Sequence, residues 1–318
     1  MNISIENVLG EEREGFYVQP MMKRAWAAQL EVLKGIEIIC KRHNLRYFAQ
    51  WGTLLGAVRH GGFIPWDDDM DIAMLREDYE QFKVYARTEL PEGWRLYTSQ
   101  DEGFDELMMR VVNSDSISLH QDFLTQFHGC PYPMGVDIFC MDHIPKKKEE
   151  EQILLNLMGV IDVLGVHWDN YALDYEGIME LVHEIEELTG YTFDKERPMK
   201  KQLLYLAEKV SAMYWDAESD EVTFTHMLSN HPEYRFPIEG FDKMIDMPFE
   251  NTTIPVPECY DLLLRANYGP NYMIPVKKWN THTYPFFRNQ VERLRKFFEE
   301  QGHPLPEVFD IKVEEDTE

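Results

Sequence analysis

The chain has 318 residues, enough for one large domain or two ordinary ones, and its composition, 44% hydrophobic and 28% charged, is typical of a globular protein. With 57 acidic residues against 31 lysines and arginines, the formal net charge is −26. That excess disfavours nucleic-acid binding and contact with an anionic membrane surface, and a phosphate-bearing substrate would need local positive groups and metal.

The sequence lacks the features of a secreted or membrane-spanning protein. It shows no signal peptide, and its most apolar longer run, residues 153–166, is short and contains Asn156 and Asp162. We expect a cytoplasmic protein without a transmembrane segment, peripheral at the inner membrane face at most through its acceptor. The cysteines have no metal-type spacing and are predicted to be reduced thiols.

The first predicted elements lead to a glycine-threonine pair. Residues 1–20 are expected to be a loose arm, and residues 21–43 have the apolar spacing of an amphipathic helix that packs on a sheet. A short strand over 47–50 follows. Gly52 then lets the backbone turn sharply towards a ligand, and Thr53 can cap a short helix whose free N–H groups bind an anion.

Arg59 ends that helix, and an acidic run follows it. Arg59 is either a phosphate contact or a member of a structural ion pair. If residues 67–74 form a strand, Asp67, Asp69 and Asp71 share one face and repel one another strongly. A cation would neutralise them, and oxygen-only ligands suit Mg²⁺ or Mn²⁺. The alternative is a solvated acidic turn or helix start, although the helical period does not align these acids.

Two further polar residues lie in apolar strands. After a predicted helix (76–88) and strand (94–97), a strand, a turn and a second strand are expected over 107–120, with Arg110 in the first of them. Arg110 is either a salt-bridge partner at the edge of the core or a bidentate phosphate clamp. Asp137 interrupts the apolar strand 135–139, which is costly unless the carboxylate is paired, metal-bound or capping a turn.

The remaining sequence divides by character. Residues 1–145 are predicted to be the catalytic core, 146–250 a mainly helical insert, and 251–318 an element that packs back on the core. Helices are expected from 146 to about 164 and over 175–189, 199–215, 260–268 and 285–301, with short strands over 243–247 and 252–256. Lys277 is either a phosphate contact or surface charge.

The segments Gly52–His60 and Gly62–Met74 resemble the LicD family of phosphocholine transferases, and the spacing of Trp66-Asp67, Asp69 and Asp71 is similar to its fukutin branch. The resemblance implies an α+β fold, with a nucleotidyltransferase-like mixed sheet core flanked by helices and a mainly helical insert. It also implies a third carboxylate from a neighbouring strand. Asp137 is the candidate, because Gly-Val-Asp-Ile-Phe resembles a second motif of the family.

The resemblance also implies an activity. Phosphocholine would pass from CDP-choline to a hydroxyl of a bacterial cell-surface glycan, free or lipid-linked, with release of CMP. Mg²⁺ or Mn²⁺ would be held by Asp69, Asp71 and Asp137, while Asp67 is a ligand or the general base. The donor phosphates would contact residues that carry N–H, hydroxyl or positive groups: Gly52, Thr53, Arg59, Arg110, Lys277 and His282, the last through its match to a family histidine.

Choline carries a quaternary cation, so an aromatic box is expected. The candidates, each with packing as its alternative, are Trp66, Tyr132, Trp168, Tyr268, Tyr272 and Trp279. Three other functions stay open: transfer of ribitol or glycerol phosphate from a CDP donor, nucleotidyl transfer, and a non-catalytic module that binds nucleotide or cation.

Overall fold

The computed structural model describes residues 9–170, 175–228, 230–277, 284–285 and 287–309. The strands are β1 (Glu11–Arg13), β2 (Phe16–Val18), β3 (Phe48–Ala49), β4 (Asp71–Leu75), β5 (Arg95–Tyr97), β6 (Met109–Val112), β7 (Gly135–Ile144), β8 (Glu221–Thr223), β9 (Phe236–Pro237), β10 (Met244–Phe249) and β11 (Thr252–Pro257). The α-helices are α1 (Pro20–His43), α2 (Trp51–Arg59), α3 (Arg76–Glu89), α4 (Gln121–Gln126), α5 (Lys148–Asn170), α6 (Tyr175–Thr189), α7 (Met199–Ser211), α8 (Thr225–Leu228), α9 (Tyr260–Tyr268) and α10 (Arg288–Glu300).

A mixed sheet lies at the centre of the fold. In the described part of the chain it has seven strands, and five of them follow the order β3-β4-β7-β6-β5. Strand β8 pairs with the last residues of β7, and β9 pairs with β8. The β4–β7 pair is parallel and the other pairs are antiparallel. Helices flank the sheet, so the predicted α+β fold with a mixed sheet core is confirmed.

The long helix α1 packs on this sheet, as its apolar spacing predicted. Its buried side chains include Trp26, Val32 and Ile36. Asn44 ends the helix in the left-handed region at φ +55°, and its N–H donates to the carbonyl of Cys40. In the chain segments described, no helix combines the length and the apolar character needed to cross a bilayer.

Three predictions about backbone structure were wrong. Residues 11–18 of the expected loose arm form the antiparallel β1–β2 hairpin, while residues 1–8 lie outside the described residues. Residues 117–120 are not a strand, because a single bond from Ser118 to the carbonyl of Pro131 does not continue as a ladder. The acidic strand begins only at Asp71, because carbonyl groups of the preceding residues accept hydrogen bonds from α1 side chains.

The apolar interior has two clusters. The larger one joins α1, the sheet, the β10–β11 hairpin and α9, and the smaller one consists mainly of α5, α6 and α7. The three-part division of the chain at 145/146 and 250/251 stays a prediction. All four cysteines are free thiols, as expected.

A buried ion pair connects α3 to β7. Arg76 and Asp142 are 4% and 2% exposed, and the guanidinium binds the carboxylate through two contacts, Nε–Oδ1 at 2.6 Å and Nη2–Oδ2 at 3.1 Å. Thr225 donates a further hydrogen bond to Oδ2 at 3.2 Å. These bonds compensate Asp142 in a place where an unpaired carboxylate would be strongly destabilising.

We predict that Asp142→Asn lowers the free energy of unfolding by about 3 kcal/mol, because the Arg76 guanidinium would stay buried without its counter-charge. Chemical denaturation measures the effect. Glu80→Gln is the matched control, since Glu80 also binds Arg76 but is 46% exposed, and it should cost less than about 1 kcal/mol. Equal losses in the two variants would contradict this account of the pair.

Candidate active site

Strand pairing places four polar residues side by side. Asp71 and Asp137 are register partners in the parallel β4–β7 pair, and Arg110 is the partner of Asp137 across β6–β7. At the other side of Asp71, the Gln50 N–H donates to the Asp71 carbonyl at 3.0 Å, which continues the β3–β4 pairing by one residue. Register partners point to the same face of a sheet. We call Gln50, Asp71, Asp137 and Arg110 the polar row.

The acid loop, residues 67–69, comes just before β4, whose first residue is Asp71 of this row. Trp26 and Gln29 of α1 donate from their side chains to the carbonyls of Asp67 and Asp68, each at 3.0 Å. One carboxylate oxygen from each of Asp67, Asp68 and Asp69 lies within 4.8 Å of the other two. Because α1 holds the backbone of the loop, the three carboxylates stay close despite their mutual repulsion.

The acid loop and the polar row form one electrostatic unit. Burial, followed by the charges of Asp69, Asp137 and Asp67, raises the pKa of Asp71 well above its usual value. Arg110 opposes this shift but does not cancel it. At the Asp71 carboxylate, burial and the three aspartates therefore outweigh the opposing effect of Arg110.

Arg110 binds Asp137 through two hydrogen bonds, and the one from Nη2 to Oδ2 is 2.7 Å long. These bonds raise the pKa of Arg110. The predicted salt bridge is therefore present. It does not exclude the phosphate clamp, because the Arg110 side chain is 38% exposed and a guanidinium has five N–H donors.

The glycine-threonine pair does not act as the sequence suggested. The sharp turn is at Trp51, at φ +46°, a region that bulky residues rarely adopt. A Cβ atom on Gly52 would lie 2.3 Å from Asp67 Oδ2, so any larger residue there would displace the Asp67 carboxylate. Thr53 does not cap α2, whose N-cap is Gln50; its hydroxyl instead accepts the N–H of Asp71 at 2.8 Å.

These residues fit a divalent cation by the chemistry of their donor set. Carboxylate oxygens are the ligands that Mg²⁺ and Mn²⁺ prefer, and Asp71 lies beside Asp137 within the charge field of Asp69. Among the described residues, the carboxylates that lie within 4.8 Å of one another are those of Asp67, Asp68 and Asp69. A cation would relieve the repulsion that raises the pKa of Asp71. Whether Asp69, Asp71 and Asp137 are the ligands stays a prediction.

Comparison with known proteins agrees with the geometry. Residues 44–150 match the LicD/FKTN/FKRP nucleotidyltransferase domain. Over 254 residues, the chain is 33% identical to the lipopolysaccharide cholinephosphotransferase LicD of Haemophilus influenzae, covering 77% of this chain and 89% of that protein. The chain belongs to the LicD family.

Other relatives of this LicD-family chain match shorter segments. An uncharacterized protein of Rickettsia prowazekii is 46% identical over 159 residues, which are 46% of this chain and 56% of that protein. The ribitol 5-phosphate transferase FKRP of Mus musculus is 37% identical over 113 residues, 34% of this chain and 22% of that protein.

The other predicted phosphate contacts are not all near the polar row. Arg59 donates to the carbonyl of Tyr272 at 2.8 Å and to His60, so it already has structural partners. Lys277 donates to the Gly15 carbonyl at 3.1 Å and lies 5.8 Å from the ring centre of Trp66. His282 lies outside the described residues. The phosphate roles of all three stay predictions.

One of the candidate aromatics lies beside the acids. Burial, together with the charges of Asp67, Asp71 and Asp69, raises the pKa of Tyr268, whose ring is partly exposed. The rings of Trp66, Tyr132 and Tyr272 are buried and serve packing. The side chains of Trp168 and Trp279 are outside the described residues.

Sequence reasoning missed two members of the site. Strand alternation over 67–74 would place Asp68 on the face opposite Asp67 and Asp69, but residues 67–69 form a loop and all three carboxylates meet. Pro65-Trp66 is a turn, and a proline so close to the acids was the available signal. Gln50 gave no signal of its own, because its position opposite Asp71 depends on strand pairing.

We predict that Asp71→Asn stabilises the protein when divalent cations are removed. Because the pKa of Asp71 is higher in the folded protein, protonation favours the fold below the unfolded value of 3.8, and this contribution is lost as the pH rises through the raised pKa. In EDTA, the variant should unfold about 2 °C or more above the original at about pH 8. Thermal scans should show the difference narrowing as the pH falls towards about 4.

The control is Asp142→Asn, in which the buried Arg76 guanidinium loses the carboxylate that balances it, so the unfolding temperature of this variant should fall. A lower unfolding temperature for Asp71→Asn in EDTA would show that the Asp71 carboxylate is not under the repulsion described here.

Proposed function

We propose that the chain transfers phosphocholine from CDP-choline to a hydroxyl of a cell-surface glycan, with release of CMP, and that it requires Mg²⁺ or Mn²⁺. The observation that carries the proposal is the convergence of Asp71, Asp137 and the acid loop beside Arg110. Support for the substrate comes from the cholinephosphotransferase relative, which aligns over most of both chains.

In the proposed reaction, the oxygen of the acceptor hydroxyl attacks the phosphorus that carries choline. The bond between this phosphorus and the oxygen bridging it to CMP breaks, and CMP leaves with the electron pair. The proton of the acceptor hydroxyl passes to a base. Asp67 is the proposed base, because it is part-exposed in the acid loop and lies against Gly52.

The other residues would position the substrates and neutralise the charge of the phosphates. Asp69, Asp71 and Asp137 would hold the cation, which when bound neutralises phosphate charge and aligns the acceptor hydroxyl. Arg110 would donate to the donor phosphates with the N–H groups that Asp137 does not use. Thr53 fixes the first residue of β4, and with it the direction of the Asp71 carboxylate.

Recognition of choline needs negative charge and an aromatic face, because the quaternary ammonium has no N–H to donate. Tyr268 supports this part of the proposal, since it is the aromatic candidate beside Asp67, Asp69 and Asp71. We assign it to the choline end of the donor.

Transfer of ribitol phosphate from CDP-ribitol is the second candidate. The observation that favours it is the 37% identity with mouse FKRP, a ribitol 5-phosphate transferase, over 113 residues. A ribitol group has hydroxyls that need hydrogen-bond partners, whereas choline does not.

The deciding experiment compares CDP-choline, CDP-ribitol, CDP-glycerol and CDP-ethanolamine with Mg²⁺ and a lipopolysaccharide or teichoic acid acceptor. Release of CMP from CDP-choline, with a phosphodiester on the acceptor by ³¹P NMR, supports the proposal. Preference for CDP-ribitol selects the second candidate. Transfer of the nucleotide itself would indicate nucleotidyl transfer, and binding without CMP release across acceptors would indicate a non-catalytic module.

We predict that Asp69→Asn lowers turnover of CDP-choline at least about 100-fold while the protein stays folded, because an amide has no charge with which to hold the cation. CMP release and circular dichroism are the measurements. Asp220→Asn is the control, since Asp220 is 75% exposed and pairs with Lys146, next to the end of β7 opposite Asp137. Full activity in Asp69→Asn would remove Asp69 from the site.

We predict that Arg110→Ala weakens binding of CDP-choline about 10-fold or more, the loss expected for a charge-assisted hydrogen bond to phosphate. A donor titration and a thermal scan, both with Mg²⁺ present, separate binding from stability. Arg95→Ala is the control, because Arg95 is an exposed arginine on the neighbouring strand β5. If Arg110→Ala lowers only the unfolding temperature, Arg110 is a structural partner of Asp137 and not a clamp.

A further inference from the structure

Gln50 is the one neutral member of the polar row, and its side chain is fully buried at 0% exposure. Among the described residues, neither Nε2 nor Oε1 has a hydrogen-bond partner. A buried amide without partners destabilises a fold, so such a group calls for a specific explanation.

The position of Gln50 points to the ligand site. Its N–H donates to the Asp71 carbonyl, and its extended backbone (φ −135°, ψ 165°) keeps the alternation of β3, so the side chain lies on the Asp71 face. Asp71 thus has Asp137 as its neighbour on one side and Gln50 on the other. Side chains of such paired residues have Cβ atoms roughly 5 Å apart.

The charge around Gln50 decides between possible ligands. Asp67, Asp69 and Asp137 all repel negative charge at Asp71, so a phosphate beside the buried amide would meet the same repulsion. A cation would be attracted there. An amide oxygen can serve as a hard ligand and adds no charge to an already acidic site.

We propose that Gln50 belongs to the divalent-cation site. Its Oε1 faces the cation, directly or through one water molecule of the cation's hydration shell, and its Nε2 then donates to the Asp71 carboxylate. Both unpartnered atoms acquire partners only when the site is loaded. This inference rests on the proposed function, because it takes the cation at Asp69, Asp71 and Asp137 as given.

The inference is tested without any turnover by titrating the protein with Mn²⁺ alone and measuring the free ion from its EPR signal. Gln50→Leu should weaken Mn²⁺ binding about 10-fold, the effect typical of losing an outer partner of a metal site. In EDTA its unfolding temperature should be equal to or above that of the original protein, because an unpaired buried amide has been removed.

The variant Gln50→Glu gives the opposite signature. It keeps an oxygen and adds a negative charge beside Asp71, so Mn²⁺ should bind at least as tightly, while the unfolding temperature in EDTA should fall. The Glu variant also keeps the test decisive if Gln50→Leu fails to fold, because weaker Mn²⁺ binding in Gln50→Glu would overturn the inference.

Gln202→Leu is the matched control. Gln202 is also 0% exposed, but its amide binds Asp194, Arg197 and Tyr191 in the helical cluster. Its loss should lower the unfolding temperature and leave Mn²⁺ binding unchanged.

Asp69→Asn distinguishes a failure of the proposed role of Gln50 from a failure of the proposed cation site. If Asp69→Asn abolishes Mn²⁺ binding and Gln50→Leu leaves it unchanged, only the role of Gln50 is overturned. If the original protein binds no Mn²⁺, the cation site of the proposed function fails, and the inference fails with it.

Discussion

Repulsion between carboxylates held at fixed positions is the constraint on which the site depends. The parallel pairing of β4 with β7 brings Asp71 beside Asp137, and neither strand can move without breaking its ladder. The acid loop, which precedes β4, adds Asp67, Asp68 and Asp69 to this group of carboxylates. The closely spaced carboxylates therefore lower the stability of the fold. Such a loss of stability is common where a protein binds a positively charged ligand.

Backbone contacts hold this arrangement together without neutralising it. Trp26 and Gln29 bind carbonyl groups of the acid loop, and Thr53 accepts the N–H of Asp71. Each of these contacts is made to a main-chain atom of the acid loop or of Asp71. Arg110 is the exception, since it binds the Asp137 carboxylate itself and offsets part of the negative charge.

The local charge pattern explains how a chain of net charge −26 could handle a phosphate-bearing donor. Arg110 lies at one end of the polar row, partly exposed, and Tyr268 lies near the acids with its ring partly exposed. In the proposed function, Arg110 would contact phosphate and Tyr268 would contact the quaternary ammonium. The family relationship places this arrangement among transferases of phosphate-bearing groups, and the donor panel decides between choline and ribitol.

The sequence by itself determined the family and the mixed sheet flanked by helices, whereas its choice of Asp69, Asp71 and Asp137 as cation ligands stays a prediction. Helix boundaries such as 21–43 and 175–189 followed from apolar periodicity, because a helix buries one face at a fixed spacing. The alternation rule failed at residues 67–70, because it assumes a strand and the bonds to α1 made a loop. It also could not show whether Arg110 binds Asp137.

Only the tertiary structure decided which residues stand side by side. Asp71, Asp137 and Arg110 come from three strands and Gln50 directly follows a fourth, and the register between strands depends on long-range pairing that no local pattern records. For the same reason the close approach of Asp67 to Gly52, and the burial of an amide without partners beside Asp71, emerge only when the strands and α2 are assembled.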